Sequence, residues 1–224
     1  MKTMSKQFKP AGQGAVAFTL IELLMVISII GIIAALTVAA MGAAKGKKDE
    51  AAVKTHHAKL VLAIESYKKQ FGTYPLTPPG LAETNAHWNA LAYELGGVRP
   101  AGVNFVSELD PTHTITTTGP AQLNGYFGLA GLVNVSPSPS ARAKSFLSGS
   151  GGSGLSAMYV YLTNGTPGLP AAMFLQVPAD HPSQSVNLWR YRVYPTNGHN
   201  PKSFDLWAEW KKRGGGTNTY GNWK

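Results

Sequence analysis

The chain has no cysteine among its 224 residues. That excludes a disulfide framework, a thiolate metal site, a cysteine nucleophile and a lipid-modified N-terminal cysteine. It leaves the compartment open, because an exported protein need not use disulfides. Acidic residues are also scarce: 11 Asp and Glu stand against 20 Lys and Arg, a formal charge of +9. Lys2, Lys6 and Lys9 lie at the extreme N-terminus, and without them 17 basic residues face 11 acids, leaving +6. A basic balance suits nucleic acid or an anionic surface, but it is equally ordinary in an exported protein with no polyanion partner. Two local absences say more. No proline occurs between Ala11 and Tyr74, and no charged residue between Leu23 and Ala44. A helix over this stretch therefore meets no proline break.

Residues Phe18 to Ala44 read FTLIELLMVISIIGIIAALTVAAMGAA, 27 residues with one ionisable side chain, Glu22. The 22 residues from Leu23 to Ala44 exceed the roughly 20 that a helix needs to cross a bilayer core. The apolar region of a secretory signal is shorter, about 7–15 residues. A core helix of a soluble protein would carry a polar stripe, and this run has none. Glu22 is the odd feature, since a carboxylate in hydrocarbon is costly without a partner. Either it snorkels at the membrane interface or it meets a positive charge when subunits assemble. Nothing else in the segment is basic, so the available cation is an α-amino group created by cutting the chain just before Phe18.

The run Gly14-Ala-Val-Ala17 followed by Phe18-Thr-Leu-Ile-Glu22-Leu-Leu resembles the processing signature of type IV pilins and of the pseudopilins of type II secretion systems. The resemblance implies cleavage by a prepilin peptidase between Ala17 and Phe18, and methylation of Phe18 as the new N-terminus. It also implies an assembly role for Glu22, which would neutralise the N-terminal amine of a neighbouring subunit. The family usually has glycine before the cut, where this chain has Ala17. The fold it implies is α+β: a long N-terminal transmembrane and spine helix carrying a C-terminal globular domain with a small antiparallel sheet. Implied partners are a homo-oligomeric filament, the peptidase, inner-membrane assembly platform proteins, minor pilins or pseudopilins, and membrane lipid. The implied location is the bacterial inner membrane, single-pass, with the C-terminal domain in the periplasm or on an extracellular filament. The three lysines of the leader are matched by Lys45, Lys47 and Lys48 after the span, so charge alone does not orient it.

The organisation expected is a leader over 1–17, a membrane half of the helix over 18–44, a soluble half over 45–72 and a globular domain over 73–224. Val53, His57, Leu60, Ile64, Tyr67 and Phe71 are spaced 4-3-4-3-4, one apolar stripe on an amphipathic helix. Gly72 and Pro75 then stop it. A helix from about Phe18 to Phe71 would be roughly 80 Å long. Many members of the family have a proline in the membrane half; here Gly31 and Gly42 are the only weak points. His56 and His57 are adjacent and point apart on a helix, which argues against a shared metal. Tyr67-Lys-Lys-Gln-Phe-Gly-Thr-Tyr-Pro75 also resembles the end of the long helix in pseudopilins.

A second helix is expected over about 82–95, with Leu81, Trp88, Leu91 and Leu95 on one side and Gly96-Gly97 closing it. Residues 96–156 are turn-rich and read as a loop-rich insertion. Gly149, Gly151 and Gly154 fit GxGxxG, but without the flanking strand and helix the match reads as a flexible loop. Strand signals follow at Met158–Leu162, Met173–Val177, Leu188–Tyr194 and Phe204–Trp207. In Leu188–Tyr194, alternation sets Trp189, Tyr191 and Val193 on one face and Leu188, Arg190, Arg192 and Tyr194 on a wetter one. The last two runs resemble the end of major pseudopilins, where a calcium ion often staples the loop after the final strand. Asp205 is the one matching residue. Beyond Leu206 the chain offers only Glu209 before Lys211, Lys212 and Arg213, a poor set for a hard cation. Asp205 is therefore expected to be a charge or cap at a strand end, and no cofactor is expected.

No catalytic constellation emerges, and the six histidines (56, 57, 87, 113, 181, 199) are not at ligand spacing. The expectation is a filament subunit and not an enzyme. One alternative is a DNA-uptake pilin, from Trp207, Trp210, Lys211, Lys212, Arg213, Tyr220, Trp223 and Lys224, which mix aromatics and cations. The plainer reading of those residues is a packed sheet edge with solvated lysines, so nucleic acid is not an expected partner. The other alternative is a membrane-anchored binding protein that never polymerises.

Overall fold

The structure is a computed structural model. It describes residues 18–78, 90–116, 120–147, 159–163, 171–194, 198–212 and 215–223, with the side chains of 39–43 and 120–122 excepted. The leader with Ala17, residues 82–89 of the expected second helix, the glycines 149, 151 and 154, Met158, Arg213 and Lys224 lie outside the described residues. The fold is mixed α+β: one long N-terminal helix, then short helices and small antiparallel sheets.

Helix α1 (Leu20–Phe71) is continuous over 52 residues. No proline interrupts it, and it passes through Gly31 and Gly42 without a break. It ends where expected: Gly72 takes φ +77° and its N–H caps the Lys68 carbonyl at 2.8 Å. A β-carbon would strain that left-handed conformation, so glycine is the natural stop. The chain divides into two compact units, Met1–Ala44 and Lys45–Lys224.

In the second unit α1 presents the expected stripe. Val53, Leu60, Ile64 and Tyr67 are completely buried, His57 nearly so, and Phe71 partly. Burying each such apolar side chain is worth roughly 1.5–3 kcal/mol. Helix α2 (Leu91–Gly96) is six residues long and buried throughout. Strands β1 (Val98–Ala101), β2 (Asn104–Ser107) and β3 (Thr114–Ile115) form one antiparallel sheet. Helix α3 (Pro120–Phe127) follows, then β4 (Tyr159–Leu162) paired with β5 (Ala172–Leu175). The last sheet is β6 (Arg190–Val193), β7 (Phe204–Lys211) and β8 (Thr217–Gly221), with β7 central. The Trp189 N–H donating to the Leu175 carbonyl (3.0 Å) and the Val177 N–H to the Asn187 carbonyl (2.9 Å) join β5 to the approach to β6.

The stretch over 96–156 is thus not simply a loop. Three short strands and α3 lie within it, anchored by buried Val98, Ile115, Leu123, Tyr126 and Phe127. Strands of two to four residues are too short to show a periodicity against their turns. Strand β7 runs four residues beyond the expected Trp207, because β8 pairs with it from Trp207↔Gly221 to Lys211↔Thr217. Its sequence TNTYG has turn composition and earns strand geometry only through its neighbour. The expected faces of β6 hold for Trp189 and Tyr191, both buried, but Leu188 is also buried.

One buried acid ties these layers to α1. Glu94 in α2 accepts hydrogen bonds from the Tyr67 hydroxyl (2.8 Å) and from the Val133 and Asn134 N–H groups (both 2.9 Å). Asn134 in turn donates Nδ2 to the carbonyls of Glu94 (2.8 Å) and Lys144 (2.7 Å). Burial pushes the Glu94 carboxyl above its usual range, against the downward pull of those donors. Glu94→Ala would take the partner from three donors, two of them in buried hydrogen bonds, a loss of about 3 kcal/mol. It should lower Tm by roughly 10 °C, read by thermal unfolding of the full chain in detergent.

Histidine burial has the opposite pH signature. His56, His57 and His113 are held below the ordinary imidazole value, in each case chiefly by burial. Below about pH 6.5 the unfolded chain therefore takes protons first, and folding stability is lost until the folded values are reached. Glu94, raised instead, gains as pH falls. Tm is expected to drop between about pH 7.5 and about pH 5.5, and His57→Phe should make the drop smaller. The Leu206 carbonyl that faces His57 Nε2 at 3.2 Å keeps the Asn222 N–H as a partner in that variant.

Candidate functional site

The first turn of α1 holds the residues singled out by the sequence. Phe18 and Thr19 precede the helix, and Thr19 caps it. The Glu22 N–H donates to Thr19 Oγ1 at 3.3 Å. In return Glu22 Oε2 accepts from the Thr19 N–H at 2.9 Å and from its hydroxyl at 2.7 Å. This is a capping box, in which a threonine and a glutamate three residues on satisfy each other's end of the helix. The carboxylate also faces the positive end of the helix dipole. Both bonds to Glu22 fall on Oε2. Phe18 is 77 % exposed. The Ala17–Phe18 bond itself lies outside the described residues.

Behind this turn, Leu20–Val38 is a 19-residue stretch of helix long and apolar enough to cross a membrane, and no part of it is buried within the chain. Leucine, isoleucine and valine side chains stand exposed on every side of it. Its two hydroxyls are satisfied internally: Ser28 Oγ donates to the Leu24 carbonyl (2.8 Å) and Thr37 Oγ1 to that of Ile33 (2.7 Å). Back-bonding of this kind lets a polar residue sit on an apolar surface without an unpaired donor. Glu22 is then the one charged group on the stretch.

Asp205, the calcium candidate, is in the other unit and is completely buried in β7. It is the second residue of that strand, and its carboxylate is surrounded by donors from Arg192, His199 and Asn200. No group of three or more metal-ligating side chains occurs among the described residues. The C-terminal aromatics are engaged with each other. Trp210 is buried, Trp223 stacks on His199 at 4.1 Å, and Trp207 meets the edge of Trp223 at 5.9 Å. Lys211 and Lys212 are exposed.

Two residues were missed by the sequence reading. Thr19 had a signal, since Thr-x-x-Glu ahead of an apolar run marks a helix start. Glu94 had none, because nothing in LAYELG separates a buried acid from an exposed one.

No protein-family model, no curated protein and no solved structure matches the chain.

Thr19→Val removes the hydroxyl that caps the turn. Amide exchange at Glu22, measured by NMR in micelles, should quicken by roughly fivefold, while exchange around Ile29 stays unchanged.

Proposed function

We propose that the chain is the precursor of a pilin-like structural subunit, assembled into a helical filament of the type IV pilus or type II secretion pseudopilus kind. The observation that carries this reading is the first half of α1. It is apolar all round, finds no cover in its own chain, and bears one charge, in its first turn. A helix of that character must be covered by lipid or by other helices. A filament supplies both in turn: lipid before assembly, a bundle of like helices after it.

Glu22 supports the same reading. In the single chain its carboxylate is held by Thr19 through Oε2 alone. A neighbouring subunit, cut before Phe18, would bring an α-amino group to it, and a paired charge is far better tolerated in an apolar bundle than a lone one. The protein's work is then mechanical and not enzymatic. A prepilin peptidase would process it between Ala17 and Phe18 and Phe18 would be methylated. Platform proteins in a bacterial inner membrane would move it from lipid into the filament, with minor pilins or pseudopilins as companions.

Two measurements test this. Mass spectrometry of the mature protein should find Phe18 at the N-terminus carrying one added methyl group. Glu22→Ala should be cleaved normally and should fail to enter filaments. Normal filaments from that variant, or a working assembly that retains residues 1–17, would overturn the proposal. A mature chain that stays monomeric in the membrane would favour an anchored binding protein.

A further inference from the structure

Arg192, His199 and Asn200 meet at one buried carboxylate. Asp205 of β7 lies opposite Arg192 of β6 in the ladder and is wholly inaccessible to solvent. Its Oδ2 accepts from Arg192 Nε (3.1 Å), Arg192 Nη2 (3.0 Å) and the His199 N–H (2.9 Å). Its Oδ1 accepts from the Asn200 N–H (3.0 Å) and from Asn200 Nδ2 (2.9 Å). Five donors saturate the roughly four lone-pair sites of a carboxylate. Calcium wants about six to eight oxygens, and both Asp205 oxygens are already taken by N–H donors. Glu209, the next acid along, is paired with Arg190 at 2.7 Å, and the backbone beyond Asp205 is committed to β6 and β8. Among the described residues, the surroundings of Asp205 do not fit a calcium ion.

Arg192 and His199 are also covered by Trp207 and Trp223. The Arg192 guanidinium lies over the Trp207 ring at 5.2 Å. Trp223 folds back across Gly221, where a β-carbon would stand 2.5 Å from its ring, and stacks on His199 with planes 10° apart. Asn222 fixes that tail by accepting from the Leu206 N–H (2.9 Å) and donating to the Phe204 carbonyl (2.8 Å).

We propose that Arg192 is a built-in counter-ion, so that Asp205 holds His199 and Asn200 in place with no metal. A guanidinium is always charged, and its rigid fork holds one carboxylate oxygen from two nitrogens. It supplies the charge a divalent cation would bring, while the two loop N–H groups and Asn200 Nδ2 supply the remaining contacts. The inference stands on the second unit alone and holds whether or not the chain polymerises.

The test uses the full chain in detergent, following Tm and the amide exchange of His199 and Asn200. Chelator and millimolar calcium should give the same Tm. A metal-stapled loop at about 100 times its Kd would gain roughly 5–10 °C, and a rise of that size overturns the proposal. Arg192→Met should lower Tm by on the order of 10 °C and speed exchange at both amides at least about tenfold; unchanged protection of His199 and Asn200 overturns it. Should that variant fail to fold, the double variant Arg192→Met with Asp205→Asn removes both charges and should recover a Tm above that of Arg192→Met. Equal instability of the two would mean that the pair is not coupled and would also overturn the proposal.

Discussion

Val53, Leu60, Ile64 and Tyr67 are sealed from solvent along one side of α1, and the second unit is organised around that contact. Tyr67 and Phe71 pack with Phe146, His57 packs with Trp189 and Tyr220, and the Tyr67 hydroxyl reaches Glu94. Among the described residues, none of the three sheets has more than three strands. Sheets so small are marginal alone and need a packed face for stability. The half of α1 beyond Ala44, free of proline, supplies that face in one piece. The stretch Leu20–Val38 of the same helix is apolar, and no part of it is buried within the chain.

Three carboxylates show how environment sets role. Glu94 is buried among neutral donors, and burial raises its carboxyl. Asp205 is buried against a cation and the N–H groups of a turn. Glu22 is exposed on an otherwise apolar surface and held by the start of its own helix. The first two act within the fold, and their neighbours come from residues distant in sequence. Among the described residues, the hydrogen-bond partners of Glu22 lie within three residues of it, so its immediate surroundings are local. That is why its capping geometry needs no globular domain.

The legible parts were those with long, regular signals. The length of α1, its buried stripe and its stop at Gly72 follow from spacing and from the absence of proline, which act over tens of residues and dominate weaker preferences. Strands β4 to β7 were visible through their β-branched and aromatic runs. The strands at Val98–Ala101, Asn104–Ser107 and Thr217–Gly221 were not. They are short, carry turn-forming residues, and owe their geometry to cross-strand partners. The candidate site was legible in part: Glu22 stands out by contrast with its surroundings, while the Thr19 cap that holds it appeared only with the helix start in view.

The sequence by itself determined the uninterrupted helix, the apolar span with one acid at its head, and the side of the second half that would be buried. These depend on residue type and on a period of 3.6, both readable in one dimension. Only the tertiary structure decided the fates of Glu94 and Asp205 and brought Trp223 onto His199. Their partners lie between 5 and 40 residues away along the chain. Neither the energetic value of a buried charge nor the conformation of a glycine-rich strand is defined until those partners are in place.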